Sequence, residues 1–500
     1  MLLVACLFGL HAEATAAAHT STYVFVPEQS KVVQTGGFAN VHWTYSIKGH
    51  FQLTVDQNLG SASFANVDAN ATDDSSFQRI LDPNHVFNMT SLVGTVEPNG
   101  SIKFTGNAPD DSAVSITVTL QDNLAHLIGQ TTPPPHSADF FIFSLDAVAQ
   151  LRKYGGGSGT ADDPYQIATA EDLFALGETP EDYDKHFKLM ADIDLSGYTY
   201  ERAVIAPDTN DVEDGFQGKL FTGVLDGNGH AISRLRIDGT SYLGLFGHID
   251  AGARISNLGL EQVDINGTGH FVGGLLGRNG RTHHQLSGHI ANCYSKGVVR
   301  VSEGDVGGLV GFNTGWITAS SSFGTVSGSY RVGGLVGWNQ GPVIDSYSLC
   351  MVTGESGVGG LIGGNGHFAL FGGPGEIFNC FSAGSVRGVL DVGGFVGSNS
   401  HGEAVNCLWD IETSGVPDMC GSQGWPAAGC DDSYGKTTTE MQTASTFLEA
   451  GWDFVNVWAI GENQTYPYLR KYSAADINQD ASVNFLDLAA LADNWLTGGQ

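Results

Sequence analysis

One hexapeptide recurs through the middle of this chain at nearly constant spacing, and that recurrence limits the folds available. Its copies are Val272-Gly273-Gly274-Leu275-Leu276-Gly277, Val306-Gly307-Gly308-Leu309-Val310-Gly311, Val332-Gly333-Gly334-Leu335-Val336-Gly337, Val358-Gly359-Gly360-Leu361-Ile362-Gly363 and Val392-Gly393-Gly394-Phe395-Val396-Gly397. A degenerate copy, Leu243-Gly244-Leu245-Phe246-Gly247, precedes them. The spacings are 34, 26, 26 and 34 residues, so the period is 26 with eight extra residues in two copies. Those extras follow Asn279 and Asn365, which places both insertions at one corner. Every copy is followed two residues later by asparagine: Asn279, Asn313, Asn339, Asn365 and Asn399. Asparagine tolerates left-handed backbone, and its amide can bond the same amide in a neighbouring repeat. A second strand recurs at 290–295, 317–322, 343–348, 377–382 and 404–409. One such coil cannot bury its apolar side chains, but coils stacked about 4.8 Å apart can. The expectation is an all-β chain whose centre is a right-handed parallel β-helix, or solenoid.

Composition bears on compartment and partners. The chain of 500 residues has a formal net charge of −31, which repels nucleic acid and anionic lipid. The N-terminal run Leu2 to Leu10, followed by Ala14-Thr15-Ala16-Ala17-Ala18, reads as a signal peptide over 1–18. It lacks a basic start, which points to a true start further upstream. Leu3-Val4-Ala5-Cys6 has the form of a lipoprotein box, but cleavage near His19 is the preferred reading. No later segment is apolar enough to span a bilayer, so a secreted or bacterial cell-surface protein is expected, and a monomer. Of the remaining cysteines, Cys420 and Cys430 are the best disulfide candidates in an oxidising compartment. Cys293, Cys380 and Cys407 share one repeat position and read as small buried hydrophobes.

Residues 19–152 alternate in the manner of strands, at 43–47, 50–55, 101–104 and 114–120, and predict an antiparallel β-sandwich or small barrel of unknown role. Gly155-Gly156-Gly157-Ser158-Gly159-Thr160 reads as a flexible linker over 153–160. Thr169 with an acid three residues on predicts a short helix through Leu176, suited to plugging the first coil of the repeat region over 161–410. A tail with a cysteine-containing insertion follows over 411–472.

The repeats match the GLUG motif of bacterial surface and secreted proteins, a resemblance covering about residues 160 to 470. It implies a parallel β-helical solenoid; some family members are attached to metallopeptidases that cleave immunoglobulin A. The unit carries no established activity, so the resemblance speaks to fold and location.

The last segment, 473–500, carries a calcium loop. Asp476, Asn478, Asp480, Asn484 and Asp487 occupy loop positions 1, 3, 5, 9 and 12, and Ser482 at position 7 lends its backbone carbonyl. Hard Ca²⁺ takes such a ring of oxygens. The following helix is apolar at Leu488, Leu491, Trp495 and Leu496, which share one face. Loop and helix resemble one half of a type I dockerin, which implies docking onto a cohesin-type domain. Ala481 stands where glycine usually makes the sharp turn, which weakens binding. Only one half precedes Gln500.

A search for catalytic groups finds none assembled. Polygalacturonase-type sites need Asn-Thr-Asp, a His-Gly and Arg-x-Lys; here Asn313 leads to Thr314-Gly315, and His401-Gly402 stands alone. Asp305 and Asp391 precede the hexapeptide in separate coils and read as solvating a turn. Peptidase signatures are missing, and His283-His284 read as a solvated loop. One patch invites a ligand: Phe312 and Trp338 occupy the same position in adjacent coils, where paired rings could stack on a sugar, or pack beneath the insertions. Tyr294, Tyr347 and Phe381 share strand parity with Ile290, Val343 and Ile377 and read as core. The function expected is a non-catalytic scaffold or adhesion protein with a calcium-binding C-terminus, able to engage a cohesin-like partner or cell-surface polysaccharide. The alternative is an accessory polysaccharide-active lyase or hydrolase, or a carbohydrate-binding protein.

Overall fold

The computed structural model describes residues 19–470 except 26–28, 37–40, 57–60, 74–79, 82–86, 88, 109–110, 122–123, 133–140, 152–153, 211–214, 281–287, 367–374 and 425–428. The expected signal peptide, His283-His284 and the calcium loop lie outside the described residues. The chain divides into two compact units, up to Lys153 and from Tyr154.

The first unit is a closed antiparallel sheet of β1 (His19–Phe25), β2 (Lys31–Gly36), β3 (Val41–Asp56), β4 (Ser61–Asp73), β5 (Ile80–Leu81), β6 (Val93–Val96), β7 (Ile102–Asn107), β8 (Ala113–Gln121), β9 (Leu124–Thr132) and β10 (Phe141–Leu151). From β10 the order runs β9-β8-β7-β6-β4; β4 also pairs with β3, and β1 pairs with both β3 and β10, so the sheet returns on itself. β1 and β2 share one lane between β3 and β10: Val24 faces His50 and Lys31 faces Ser46. Where the lane breaks, Ser30 takes over the ladder. Its hydroxyl donates to Val148 O at 2.8 Å and accepts from Val148 N–H at 3.1 Å. Alternation then sends Phe51, Phe64, Phe104, Ile116 and Leu127 into the interior.

The glycine-rich segment expected as a flexible linker is instead bound into the second unit. Tyr154 is buried and donates to Asp182 Oδ2 at 2.9 Å, and Gly155 N–H donates to Gln166 O at 2.8 Å. Gly157, at φ +79°, passes so close to Pro164 O that a Cβ would overlap it. The glycines here serve close approach, not flexibility.

The second unit is built from three parallel sheets of nine, fourteen and seven strands. Each turn of the chain visits them in order. For the coil that starts at Trp316, the visits are Trp316–Thr318 in the nine-stranded sheet, Ser321–Gly333 in the fourteen-stranded sheet and Val336–Asn339 in the seven-stranded sheet. One period later Val343, Tyr347 and Val336's counterpart Ile362 pair with them in parallel register. Val332, Leu335, Val336 and their equivalents are buried in one continuous core, except Val392 of the last copy, which is partly buried against it. Each such aliphatic side chain contributes about 1.5–3 kcal/mol on burial. The glycines of the hexapeptide sit where backbones meet: a Cβ at Gly333 would overlap Val336 O, and one at Gly334 would overlap Gly360 O of the next coil.

Two polar lanes hold the corners. In the first, Asn279 Nδ2 donates to Asn313 Oδ1 (2.9 Å), Asn313 to Asn339 (2.8 Å), Asn339 to Asn365 (3.0 Å) and Asn365 to Asn399 (3.3 Å). This is the amide ladder the repeat predicts, and these asparagines are buried. The second lane follows the nine-stranded sheet at Asn257, Asn292, Ala319, Asp345, Asn379 and Asn406, all left-handed, with φ from 46° at Ala319 to 56° at Asn406. Here Asn292 donates to Asn257 (2.8 Å), Asn379 to Asp345 (3.3 Å) and Asn406 to Asn379 (3.3 Å).

At the start of the stack, α1 (Ala170–Glu178) is capped by Thr169: Asp172 N–H donates to Thr169 Oγ1 at 3.2 Å, and Thr169 N–H to Asp172 Oδ2 at 3.1 Å. Its Leu173 and Leu176 join the core of Ile167, Leu189 and Leu225, so the helix closes the stack there. At the other end Cys420 and Cys430 form a disulfide. The segment from 438 to 470 then folds back on the outer face of the fourteen-stranded sheet. Met441, Phe447, Trp452 and Trp458 there form a separate core with Tyr347, Phe381 and Leu408. Tyr347 and Phe381 are therefore buried outside the coils, and Tyr294 is only partly covered, contrary to the parity argument. The left-handed residues Asn292, Asp345 and Asn379 lie between the compared positions and reset the alternation.

Candidate functional site

The residue between the last glycine of each hexapeptide and the corner asparagine forms a lane across the seven-stranded sheet: His248, Arg278, Phe312, Trp338, Gly364 and Ser398 stand in register. Phe312 and Trp338 pack with ring centroids 4.8 Å apart, and Phe271 adds a third ring 5.5 Å from Phe312. Two guanidinium groups complete the seam. Arg278 Cζ lies 5.0 Å from the Phe312 centroid, and Arg331 Cζ lies 3.8 Å from that of Trp338. Trp338 Nε1–H donates to Gly366 O at 2.9 Å. Phe312 is 1 % exposed and offers no free ring face. Phe312 and Trp338, read as either a sugar platform or a packed pair, join in a cation–π seam in which Phe312 is buried and Trp338 half-buried. Arg331, seven residues before Trp338, and Arg278, directly before the corner Asn279, are the signals available in sequence.

Beside this seam lies a buried ion pair. Asp305, expected in a solvated turn, is 4 % exposed and meets Arg331 of the next coil, Nη1 to Oδ1, at 3.0 Å. Burial raises its carboxyl from 3.8 to about 6, against the opposing pull of Arg331, His270 and Arg278. The unfolded chain releases this proton near 3.8 and the folded chain near 6. Between those values the folded state holds the extra proton, so this group's contribution to stability is full below the window and is lost as pH rises through it. The loss amounts to about 3 kcal/mol at roughly 1.4 kcal/mol per unit. Asp305→Asn removes the titration, so the variant should gain on the parent between pH 4 and 7, read by hydrogen exchange at Val272 N–H, which donates to Asp305 O. Superimposable pH profiles for the two proteins would show that burial does not hold this proton.

The carboxylates on the outer faces of the first coils have partners. Asp192 meets His230 at 3.1 Å, Asp194 pairs with Arg234, Glu261 meets Lys296 at 3.7 Å and Asp264 meets Arg300 at 3.0 Å. Among the described residues no group of three or more His, Cys, Asp or Glu is placed to hold a metal ion. Burial pushes the Cys350 thiol up to about 11 and that of Cys293 up to about 12, so neither is a thiolate nucleophile at neutral pH. Cys293, Cys350, Cys380 and Cys407 are buried and unpaired by disulfides. Among the described residues no helix is long and apolar enough to cross a membrane.

No family model matches the chain. It is 35 % identical over 271 residues to Halomucin of Haloquadratum walsbyi, a match covering 52 % of this chain and 3 % of that protein. It is 32 % identical over 145 residues to a Gly-rich membrane protein of Evansella cellulosilytica, covering 28 % of this chain and 16 % of the relative. The chain therefore spans a small fraction of the length of the curated relatives it matches. Among solved structures it resembles an IgA1 protease at 12 % identity and a TM-score of 0.32, over 84 % of this chain and 29 % of that one.

Proposed function

We propose that this is a secreted or cell-surface scaffold or adhesion protein, built on a right-handed parallel β-helix of GLUG-type coils. Its C-terminal loop binds Ca²⁺ through Asp476, Asn478, Asp480, Ser482, Asn484 and Asp487 and docks onto a cohesin-type domain. One observation carries the scaffold reading. The coils spend their polar lanes on one another, in amide ladders and ion pairs between neighbouring turns. Such a stack presents a long, stiff surface rather than a set of converging reactive groups. The acidic composition, the N-terminal apolar run and the Cys420–Cys430 disulfide favour a place outside the cytoplasm. A relative named as a membrane protein is in keeping with the cell surface.

Calorimetric titration of the full chain with CaCl₂ is the direct test. About one equivalent should bind, with Asp476→Ala and Asp480→Ala each weakening binding at least tenfold because each removes a first-loop oxygen ligand. A flat titration, or one that both variants leave unchanged, removes the calcium loop and with it the docking reading.

A further inference from the structure

The fourteen-stranded sheet carries an open cleft of about 290 Å³ on its outer face, beside the returning C-terminal segment, which contributes Leu469 to one wall. Its origin lies in a coincidence within one coil. On the corner lane, where neighbouring coils place Asn292 and Asp345, the coil between them has Ala319. On the tyrosine lane, where neighbours place Tyr294 and Tyr347, the same coil has Ser321. Both lanes drop to a small side chain in one turn, and a notch about one coil wide opens between larger neighbours.

The notch has chemistry of its own. Elsewhere on the corner lane the amide of each coil donates to the one before it, as Asn292 does to Asn257 and Asn406 to Asn379. Ala319 has no amide, so among the described residues no donor reaches Asn292 Oδ1, which borders the cleft. Tyr294 and Phe323 supply aromatic surface. Lys296 and Glu261, 3.7 Å apart, stand together at the rim and cancel in charge.

We propose that this cleft binds one neutral sugar unit of a glycan. A hexose or pentose ring combines an apolar C–H face, which packs on an aromatic ring, with hydroxyls that donate to a waiting amide oxygen and bridge a paired cation and anion. The volume is at the small end of ligand sites and suits a single unit rather than a chain. A balanced rim within a protein of net charge −31 disfavours uronic or sulfated sugars. An extended peptide would need a free strand edge, and the strands beneath the cleft are paired on both sides. The site goes beyond the scaffold reading, which stands whether or not the cleft is occupied.

The test exploits the missing amide. Ala319→Asn places an amide at a left-handed position that asparagine favours, completes the lane by donating to Asn292, and fills the notch. The full chain is screened against immobilised neutral, uronic and sulfated oligosaccharides, then titrated with the best neutral probe. Neutral glycans should bind, Tyr294→Ala should weaken binding at least tenfold, and Ala319→Asn should abolish it without lowering the thermal midpoint. Loss of binding then cannot be loss of fold. Absence of any neutral binder, unchanged affinity in Ala319→Asn, or binding of charged glycans or peptides alone overturns the proposal. Calcium titration of the same samples reports separately on the C-terminal loop.

Discussion

Asn339→Ala should be among the most damaging single substitutions in the second unit, costing on the order of 5 kcal/mol. The side chain is fully buried and makes four hydrogen bonds. Its Nδ2 donates to Asn365 Oδ1 at 3.0 Å and Gly341 O at 2.9 Å; its Oδ1 accepts from Asn313 Nδ2 at 2.8 Å and Gly341 N–H at 3.3 Å. Alanine leaves groups on three other residues unsatisfied in a dry corner, at about 1–3 kcal/mol each. Asn339→Asp should be worse at neutral pH, because it buries a charge and turns an oxygen toward Asn365 Oδ1. The gap that Ala319 leaves in the second lane is tolerated because that corner is only partly buried. Chemical unfolding of the full chain, followed by hydrogen exchange in the coils on either side, gives the comparison. A loss below about 1 kcal/mol would mean that water replaces the amide at little cost.

Trp458→Ala should detach the returning C-terminal segment and leave the coils intact. The indole is fully buried, 4.5 Å from the Trp452 ring, 5.9 Å from Tyr347 and 6.0 Å from Phe381, with centroids as reference. Its strand pairs with Tyr468–Leu469, and Arg470 Nε–H donates to Trp458 O at 2.9 Å. Truncation to alanine costs about 3–5 kcal/mol, comparable with what so small a separate core contributes. Tyr347, Phe381 and Leu408 would then face solvent as a continuous apolar strip. Limited proteolysis should show new cuts between 438 and 470, together with binding of an apolar dye, while residues before 410 stay protected. Resistance equal to that of the parent would show that the segment is held by other contacts.

The elements legible in the sequence are those whose cause is local or repeated. The capping box at Thr169 and Asp172 closes within four residues, so the helix was readable. The corner asparagines recur with the period, and each bonds the same residue one coil away, so the ladder followed from spacing alone. The second ladder is not legible in the sequence because its members change identity, from Asn257 and Asn292 to Ala319 and Asp345, and only their shared left-handed backbone marks them. The closed sheet of the first unit was one of two options. Choosing between them needs β1 and β2 to share a lane beside β10, more than a hundred residues away.

The site readings divide in the same way. Phe312 and Trp338 stand in adjacent coils, as their spacing predicts, but Arg278 from the preceding coil of the same lane and Arg331 from another lane cover them. Asp305 is polar in sequence and buried in the fold because Arg331, one coil on, crosses to meet it. Tyr347 and Phe381 looked like coil interior and instead carry the returning tail. By itself the sequence determined the period, the stacking residues and the corner amides, because every coil must satisfy the same neighbour in the same register. Tertiary structure alone decided which outward side chains are covered and where a cleft remains open, because that depends on residues meeting across coils with no repeat to announce them.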